Sequence, residues 1–216
     1  MSPRLRPVLM LVVAAGLIFG LSGRWTDPWL WAWLLVWTGG FAYGISTIGD
    51  DLARERFAPP EPGADRAALR FIRLTAIGHV VLGALDAGRW HLLPVPTSLR
   101  VAGLVGMALF GALVFKAMVA NRFFSAVVRV QRERGHQVVD VGPYEMVRHP
   151  GYLGMILSVP CSGLVLGSWL AVGLALLYSA LMLRRVVFED AFLRTNLEGY
   201  AEYRTRVRYR LVPGLW

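Results

Sequence analysis

Cysteine and lysine are almost absent from this chain of 216 residues, which contains one of each. The single cysteine, Cys161, lies within an apolar run, so an intrachain disulfide and a metal site built on several thiolates are excluded. Acidic residues are also few, 14 against 23 basic ones, and the formal net charge is +9. Basic residues do not form a stripe interleaved with aromatics on a polar module, which argues against nucleic acid as a partner. We therefore expect neither a metal nor a nucleic-acid partner.

Hydrophobic residues make up 56% of the chain and charged residues only 17%. The apolar residues form stretches that approach the roughly 20 residues needed to cross a hydrocarbon core of about 30 Å. These stretches are 8–21, 29–48, 71–90, 98–120 and 151–187. The last is too long for one crossing, and the turn formers Gly167 and Ser168 predict that it folds back as a helical hairpin. The sequence predicts an all-α fold, a bundle of five to six transmembrane helices ending in that hairpin.

Basic residues are distributed unevenly between the predicted loops. With six spans the outer loops hold Arg24, Arg89 and Arg100, whereas nearly all other basic residues lie in the inner loops and termini. The positive-inside rule then places both termini in the cytoplasm, together with the polar loop Asn121 to Tyr152 and the charged segment that begins at Arg184. The heavy use of Arg is typical of a GC-rich prokaryotic genome, so we expect a multi-pass protein of a prokaryotic inner membrane.

Ionisable residues inside a predicted span are costly and are therefore functional candidates by default. For His79, in the middle of the third span, we expect a hydrogen bond to a neighbouring helix. Asp86 and Arg89 are three residues apart on one helix face, which predicts a local ion pair. On the last helix, Arg185 and Glu189 are one turn apart, so they either pair or line one side of a cavity together.

The loop Asn121 to Tyr152 ends at a predicted helix start. Pro150 lacks an N–H group and is well suited to the first helical turn, which would leave free N–H groups facing the loop. Such a helix terminus suits a carboxylate or another anionic group. For this short motif alone, a helix simply started by proline, with an interfacial tyrosine at Tyr152, is the preferred interpretation.

The order and spacing of several short elements, taken together, are specific. They are Asn121 with Phe123-Phe124, Gln131, His136 to Val139, Gly142-x-Tyr144, Arg148-His149-Pro150-x-Tyr152-x-Gly154, Arg185 with Glu189-Asp190, Tyr200-x-x-Tyr203 and Arg210-Leu-Val-Pro213. This pattern covers roughly the C-terminal 100 residues. It resembles the isoprenylcysteine carboxyl methyltransferase family, whose relatives include membrane phospholipid methyltransferases.

The resemblance implies an S-adenosylmethionine-dependent methyltransferase that acts on a lipophilic acceptor, a carboxylate, entering from the bilayer lipids. It implies one domain over residues 1–216, with transmembrane helices in 1–120 and a cofactor-binding core in 121–216, where the cytosolic loop and a C-terminal amphipathic helix form the cofactor pocket. Arg185 matches the position that meets the substrate and is the predicted catalytic residue. The predicted cofactor-binding residues are Gln131, His136, Gln137, Val138, Val139, Tyr144, His149, Pro150, Gly151, Tyr152 and Glu189.

Three alternatives stay open. The C-terminal half also resembles membrane sterol reductases, which share the Arg-His-Pro-x-Tyr motif but use NADPH. A lipid amine is a second possible methyl acceptor, and because an amine must first lose a proton, His149 or Glu189 would then be the candidate base. The third alternative is a non-catalytic membrane component, which would bind neither nucleotide.

Overall fold

The structure is a computed structural model that describes residues 5–60, 63–92 and 94–216. Within these residues it contains helices and no β-strand. The α-helices are α1 (Leu5–Ser22), α2 (Pro28–Thr47), α3 (Asp50–Phe57), α4 (Arg66–Leu85), α5 (Thr97–Ala120), α6 (Pro150–Leu166), α7 (Trp169–Asn196) and α8 (Tyr200–Arg206). The all-α prediction is thereby confirmed.

Three helical segments are long and apolar enough to cross a membrane, namely Arg66–Trp90, Thr97–Ala120 and Trp169–Asn196. Leu11–Ser22 and Pro150–Leu166 are shorter apolar helices. Large side chains such as Leu74 and Leu109, each 64% exposed, point away from the bundle, as expected of residues that contact lipid. The chain is thus an integral membrane protein, and the count of five to six crossings stays a prediction.

Local signals in the sequence account for several helix boundaries. α6 begins at Pro150, the position that the loop pattern predicts. It ends at Leu166, where Gly167 takes the left-handed conformation (φ 81°) that glycine adopts at no steric cost. Ser168 then starts α7, because its side chain accepts a hydrogen bond from the backbone N–H of Ala171.

α6 lies at the centre of the bundle and packs closely on α5. A Cβ atom at Gly154 would lie 2.7 Å from the carbonyl oxygen of Phe110, and one at Gly103 would lie 2.7 Å from Cβ of Leu164. The two helices therefore approach closely at both glycines, backbone to backbone at Gly154 and backbone to side chain at Gly103. This packing fixes the start of α6, where the candidate site lies, relative to the end of α5.

His79 forms the predicted hydrogen bond to a neighbouring helix. Its Nδ1 lies 2.6 Å from the carbonyl oxygen of Ala76, so Nδ1 carries the proton and Nε2 accepts. Nε2 lies 3.2 Å from the hydroxyl of Ser162 on α6, which also accepts from the indole N–H of Trp33 at 2.7 Å. The polar groups of Trp33, His79 and Ser162 all have hydrogen-bond partners, and this cluster joins α2, α4 and α6.

The predicted ion pair between Asp86 and Arg89 is wrong. In the described part of the chain, Asp86 accepts from the backbone N–H of Leu92 at 3.0 Å and from the hydroxyl of Ser168 at 2.5 Å. Arg89 instead donates to the carbonyl oxygen of Leu21 at 2.7 Å. The spacing argument fails because residues 86–90 form a π-helical turn, in which residues three apart no longer share a face.

Candidate active site

The loop between α5 and α6 rests on the connector between α3 and α4. The carboxylate of Asp65 accepts a hydrogen bond from the backbone N–H of Val128 at 3.1 Å. The carbonyl oxygen of Val128 in turn accepts from the N–H of Ala64 at 2.9 Å. Gly63 has no room for a side chain, since a Cβ atom would lie 2.6 Å from Cβ of Val127. The first half of the chain thus fixes the path of the loop.

A buried ion pair holds the loop at a second point. Arg129 contacts both carboxylate oxygens of Glu55 on α3, at 3.1 Å and 2.7 Å, and Ser125 donates to the same carboxylate at 2.6 Å. Burial acts to raise the pKa of Glu55, but the hydrogen bonds from Arg129 and Ser125 outweigh it and the pKa is lowered. Glu55 is therefore ionised in the folded protein and functions as an anchor.

The C-terminal segment covers the other end of the loop, and Asp190 on α7 holds it there. Asp190 is 2% exposed. It accepts from Arg148 at 2.7 Å, from the hydroxyl of Tyr200 at 3.0 Å and from Arg210 at 3.2 Å. The backbone N–H of His149 also donates to the carbonyl oxygen of Arg210 at 2.9 Å. Asp190 therefore joins the loop, α7 and the chain terminus.

Arg185, Tyr152 and Glu189 come together beside this junction. The hydroxyl of Tyr152, at the start of α6, donates to the carboxylate of the half-buried Glu189. The guanidinium of Arg185 lies over the Tyr152 ring, 5.6 Å from its centroid. Arg185 does not form an ion pair with Glu189 in the described chain; its Nε is 2.7 Å from a carboxylate oxygen of Asp65. Within the described residues, Arg185 and Glu189 thus do not pair with each other, and both contact Tyr152.

His149 and its neighbours form the rim of this group. The imidazole lies edge-on to the Tyr152 ring, with 5.7 Å between centroids. Its Nε2 is 3.4 Å from the hydroxyl of Tyr200 and 3.5 Å from Asp190, so it faces the C-terminal segment. Pro150 is buried, and a Cβ atom at Gly151 would lie 2.5 Å from the ring of Phe124. These residues shape the start of α6 by packing.

Gln137, Val138 and Val139 line a cavity of about 350 Å³ at the end of α5. The other lining residues are Val119, Ala120, Arg122, Phe123, Gly135, Asp140 and Val141. Cavities of about 300 to 1,000 Å³ with apolar walls and a few polar groups are typical small-molecule sites. Here the walls are about as polar as they are apolar, and Arg122 and Asp140 supply one charge of each sign.

His136 and Gln131 lie behind this cavity. The His136 ring stacks on Phe123, with 4.4 Å between centroids, and its Nδ1 accepts from the backbone N–H of Gln131 at 3.1 Å. Burial lowers the pKa of His136 to about 4, and the positive charges of Arg129 and Arg134 act in the same direction. The ring is therefore neutral near pH 7. Gln131 is fully buried and donates to the carbonyl oxygen of Phe123 at 2.7 Å, so it supports the loop from inside.

Tyr144 connects the cavity side of the loop to the cluster around Glu189. Its buried hydroxyl accepts from the side-chain amide of Asn121 at 3.3 Å, and its carbonyl oxygen accepts from the hydroxyl of Tyr203 at 2.7 Å. Burial raises the pKa of Tyr144, the Asn121 hydrogen bond opposes this, and the Glu189 carboxylate raises it further. The phenol therefore stays protonated near neutral pH, and the negative charge of Glu189 contributes to this.

Sequence reasoning missed Asp65 and Glu55, the two acids that anchor the loop. Both lie in the segment between the second and third predicted spans, which mixes prolines, glycine and charges of both signs. Their only sequence signal is an acidic residue close to a helix boundary, and that pattern is common in solvated connectors. Their partners are 74 and 63 residues further along the chain for Glu55 and Asp65, respectively.

Comparison with known proteins finds sequence matches to one family. Residues 103–195 match the sequence model of the isoprenylcysteine carboxyl methyltransferase family. The chain is 32% identical over 109 residues to a probable protein-S-isoprenylcysteine O-methyltransferase of Oryza sativa, which is 49% of this chain and 56% of that protein.

Two other relatives match stretches of similar length. Protein-S-isoprenylcysteine O-methyltransferase B of Arabidopsis thaliana is 28% identical over 105 residues, 47% of this chain and 53% of that protein. The corresponding enzyme of Schizosaccharomyces pombe is 32% identical over 93 residues, 41% of this chain and 38% of that protein. The matches thus span about half the length of these curated relatives or less. The resemblance predicted from the sequence is confirmed over residues 103–195, which match the model of the isoprenylcysteine carboxyl methyltransferase family.

Proposed function

We propose that this chain is an S-adenosylmethionine-dependent membrane methyltransferase that esterifies the carboxylate of a lipophilic acceptor. The observation that carries the proposal is the group formed by Arg185, Tyr152 and Glu189, in which a buried cation, an aromatic face and a half-buried carboxylate meet beside the loop. A carboxylate acceptor needs a cation to align it, and a sulfonium cofactor needs aromatic and anionic partners.

The residues present fit S-adenosylmethionine. The cavity at Gln137 to Val139 is lined in part by Phe123, Val138 and Val139, whose apolar side chains suit an adenine ring. Asp140 and Arg122 in the same lining match the ammonium and carboxylate of the amino acid part of the cofactor. Glu189 can accept from ribose hydroxyls or the ammonium group. When bound, the cofactor supplies a methyl group attached to a positively charged sulfur.

Arg185 would orient the acceptor, and no general base is required. A carboxylic acid has a pKa of about 3 to 4 and is already ionised near neutral pH. The guanidinium of Arg185 presents donors in a plane that matches a carboxylate. Tyr152 packs against Arg185 and would help exclude water from the reacting groups. Alignment and dehydration would supply most of the rate enhancement.

The membrane arrangement forms part of the proposal. The acceptor would enter from the bilayer and the cofactor from the cytoplasm, where the loop and α8 would form the pocket. Residues 1–120 would supply the first transmembrane helices of a single domain with five to six crossings, and residues 121–216 the cofactor-binding core, in a prokaryotic inner membrane. The names of the relatives make an S-isoprenylcysteine carboxylate the first acceptor to test.

The test is methyl transfer by the purified protein in detergent from S-adenosylmethionine to N-acetyl-S-farnesylcysteine. We expect a base-labile methyl ester, and we expect S-adenosylhomocysteine to raise the melting temperature. Glu189→Gln should weaken S-adenosylhomocysteine binding at least tenfold, while Glu202→Gln, at an exposed position on α8, should leave it unchanged. Stabilisation by NADPH in place of S-adenosylhomocysteine would support the reductase alternative, and no effect of either nucleotide would support a non-catalytic component.

The pH profile distinguishes a carboxylate from an amine acceptor. Because a carboxylate is ionised throughout, kcat/KM should change little between pH 6 and 8. An amine acceptor would instead require proton removal, and the rate would rise steeply with pH over the same interval. A base-stable product with such a profile would contradict the proposed ester chemistry.

A further inference from the structure

Asp65 and Arg185 form an ion pair between the two halves of the chain. Asp65 lies immediately before α4, and Arg185 lies in the middle of α7. Nε of Arg185 is 2.7 Å from Oδ2 of Asp65, and the two side chains are 7% and 2% exposed, respectively. Breaking such a buried pair is costly, because it leaves one charge desolvated without compensation.

The other contacts of Asp65 and Arg185 fix this geometry. Oδ1 of Asp65 accepts from the N–H of Val128, so the carboxylate uses one oxygen for the loop and the other for Arg185. Nη2 of Arg185 donates to the carbonyl oxygen of Ala126 at 2.8 Å. The face of the guanidinium lies over the Tyr152 ring. The guanidinium is thus held by one hydrogen bond, one close ionic contact and the ring against its face.

Nη1 of Arg185 is the nitrogen left for a ligand. Among residues 5–60, 63–92 and 94–216 it has neither a hydrogen bond nor an ion pair, whereas Nε lies at ion-pair distance from Asp65 without a hydrogen bond, and Nη2 donates to Ala126. A guanidinium has five N–H donors in a rigid fork, so fixing one edge determines where the remaining donors point. An unrestrained arginine side chain would lose that direction through rotation about its four side-chain bonds.

We infer that Asp65 is a positioning residue for methyl transfer, which acts through Arg185 and holds its Nη1 group ready for the acceptor carboxylate. This inference rests on the proposed function and extends it, because it assigns a role in acceptor binding to the first half of the chain. Asp65 also neutralises Arg185 when no acceptor is bound, which keeps the buried cation from being unpaired.

A purely structural role is the competing explanation, since Asp65 also anchors the loop at Val128. Asp65→Asn separates the two roles, because asparagine keeps an oxygen for the Val128 N–H and replaces the other with an amino group that cannot pair with Arg185. A double-mutant cycle with Arg185→Met then shows whether the effect of Asp65 depends on Arg185.

The experiment measures kcat/KM for N-acetyl-S-farnesylcysteine, normalised to S-adenosylhomocysteine binding sites, in the wild type, D65N, R185M and the double variant. We expect D65N to lower kcat/KM about tenfold, which corresponds to about 1.4 kcal/mol. R185M should lower it about 100-fold, about 2.7 kcal/mol. The double variant should match R185M within threefold. The affinity for S-adenosylhomocysteine should stay within twofold in D65N, because Arg185 faces the acceptor.

Asp86→Asn is the matched control. Asp86 follows α4 at its other end, is 2% exposed and, like Asp65, accepts from a backbone N–H. Asp86→Asn should leave normalised kcat/KM within twofold of the wild type. If D65N does not fold, Asp65→Glu replaces it. Glu keeps the charge but displaces it by one methylene, so we expect a fall in kcat/KM with S-adenosylhomocysteine affinity unchanged, and unchanged kcat/KM would overturn the inference.

The failures of the two proposals are distinguishable. Multiplicative effects in the double variant, or equal effects of D65N and D86N, would overturn the role of Asp65 and leave the methyltransferase proposal intact. A wild-type protein that neither binds S-adenosylhomocysteine nor forms the ester would overturn the proposed function and the inference with it.

Discussion

The two ends of the helix bundle use arginine differently. At one end, here called the turn end, where Gly167 and Ser168 join α6 to α7, arginines donate mainly to backbone carbonyl oxygens, and the ion pair of Arg24 with Asp27 joins residues only three apart. Arg89 reaches Leu21 at 2.7 Å, and Arg100 reaches Val165 at 2.9 Å. These acceptors lie in the last turns of α1 and α6, whose carbonyl groups lack intrahelical partners. The arginines therefore cap helix C-termini and interact favourably with the helix dipoles.

At the loop end, where the α5–α6 loop meets α7 and the C-terminal segment, arginines pair with carboxylates instead. Arg129 pairs with Glu55, Arg148 with Asp190 and Arg185 with Asp65. The pairs of Arg129 with Glu55 and of Arg148 with Asp190 connect segments that are distant in sequence. The pair of Arg185 with Asp65 does so too, and it leaves donors of Arg185 near Tyr152. The comparison shows that charge alone does not mark the site, because both ends are basic. The loop end differs in that its buried carboxylates pair with arginines 42 or more positions away in the sequence, and one of these arginines, Arg185, keeps a donor for a ligand.

Asp190→Asn should lower the stability of the protein more than any other variant proposed here. It removes the negative charge that Arg148, Arg210 and Tyr200 all contact. We expect a loss of about 3 to 5 kcal/mol of stability, the cost of breaking a buried ion pair. The segment after α8 should become sensitive to trypsin, which limited proteolysis in detergent measures. Glu189→Gln, one residue earlier, should cost less than about 1 kcal/mol, since a glutamine oxygen still accepts from Tyr152. Equal losses would contradict the separate roles of these adjacent acids.

Arg100→Gln tests whether the turn end contributes to stability without affecting cofactor binding. It removes two hydrogen bonds to the carbonyl oxygen of Val165 and the contact of the guanidinium with the Trp29 ring, 4.7 Å away. We expect a loss of about 1 to 2 kcal/mol. Thermal unfolding measures this loss, and titration with S-adenosylhomocysteine should show unchanged affinity. Weaker binding in this variant would mean that the two ends are not independent.

Protonation of His136 should have a smaller, pH-dependent effect on the stability of the loop end. Its pKa is about 4 in the fold, below the ordinary value of 6.5, so the unfolded chain binds a proton that the folded chain does not. The stability contributed by the neutral ring is complete above pH 6.5 and is lost as the pH falls towards 4. For this half-buried ring we expect a loss of about 1 kcal/mol between pH 6.5 and 5, after allowing for solvent screening.

Melting temperatures at pH 7.5, 6.5 and 5 measure the effect, with His136→Asn as the comparison. The melting temperature of the wild type should exceed that of this variant by less as the pH falls. His91, which is exposed at the turn end, supplies the control, and His91→Asn should behave like the wild type at each pH. A constant difference in melting temperature between the wild type and His136→Asn would contradict a neutral, half-buried ring.

Features set by local sequence were predictable. The start of α6 at Pro150 and the break at Gly167 and Ser168 follow from backbone preferences that act over a few residues. Helix α5 covers Thr97–Ala120 where hydropathy predicts 98–120. The partner of His79 on another helix was also foreseen, because a polar ring within a bundle needs one.

Features set by distant residues were not predictable. Spacing along a helix suggests Glu189 as a partner for Arg185, yet the nearer carboxylate belongs to Asp65, 120 positions away. The burial of Gln131 and the covering of α6 by the C-terminal segment likewise depend on how the loop folds. The family pattern places these residues in one site, but it contains no acid from the first half of the chain. Long-range pairing of charges therefore requires the structure.

A density map of the protein with S-adenosylhomocysteine tests the central claim most directly. The account predicts that the adenosine lies in the cavity lined by Gln137 to Val139, with the sulfur directed towards Tyr152 and Glu189. Nη1 of Arg185 should face the open side of the sulfur, with Arg185 still paired to Asp65. A nucleoside bound at the turn end, or a sulfur that faces away from Arg185, would contradict the account.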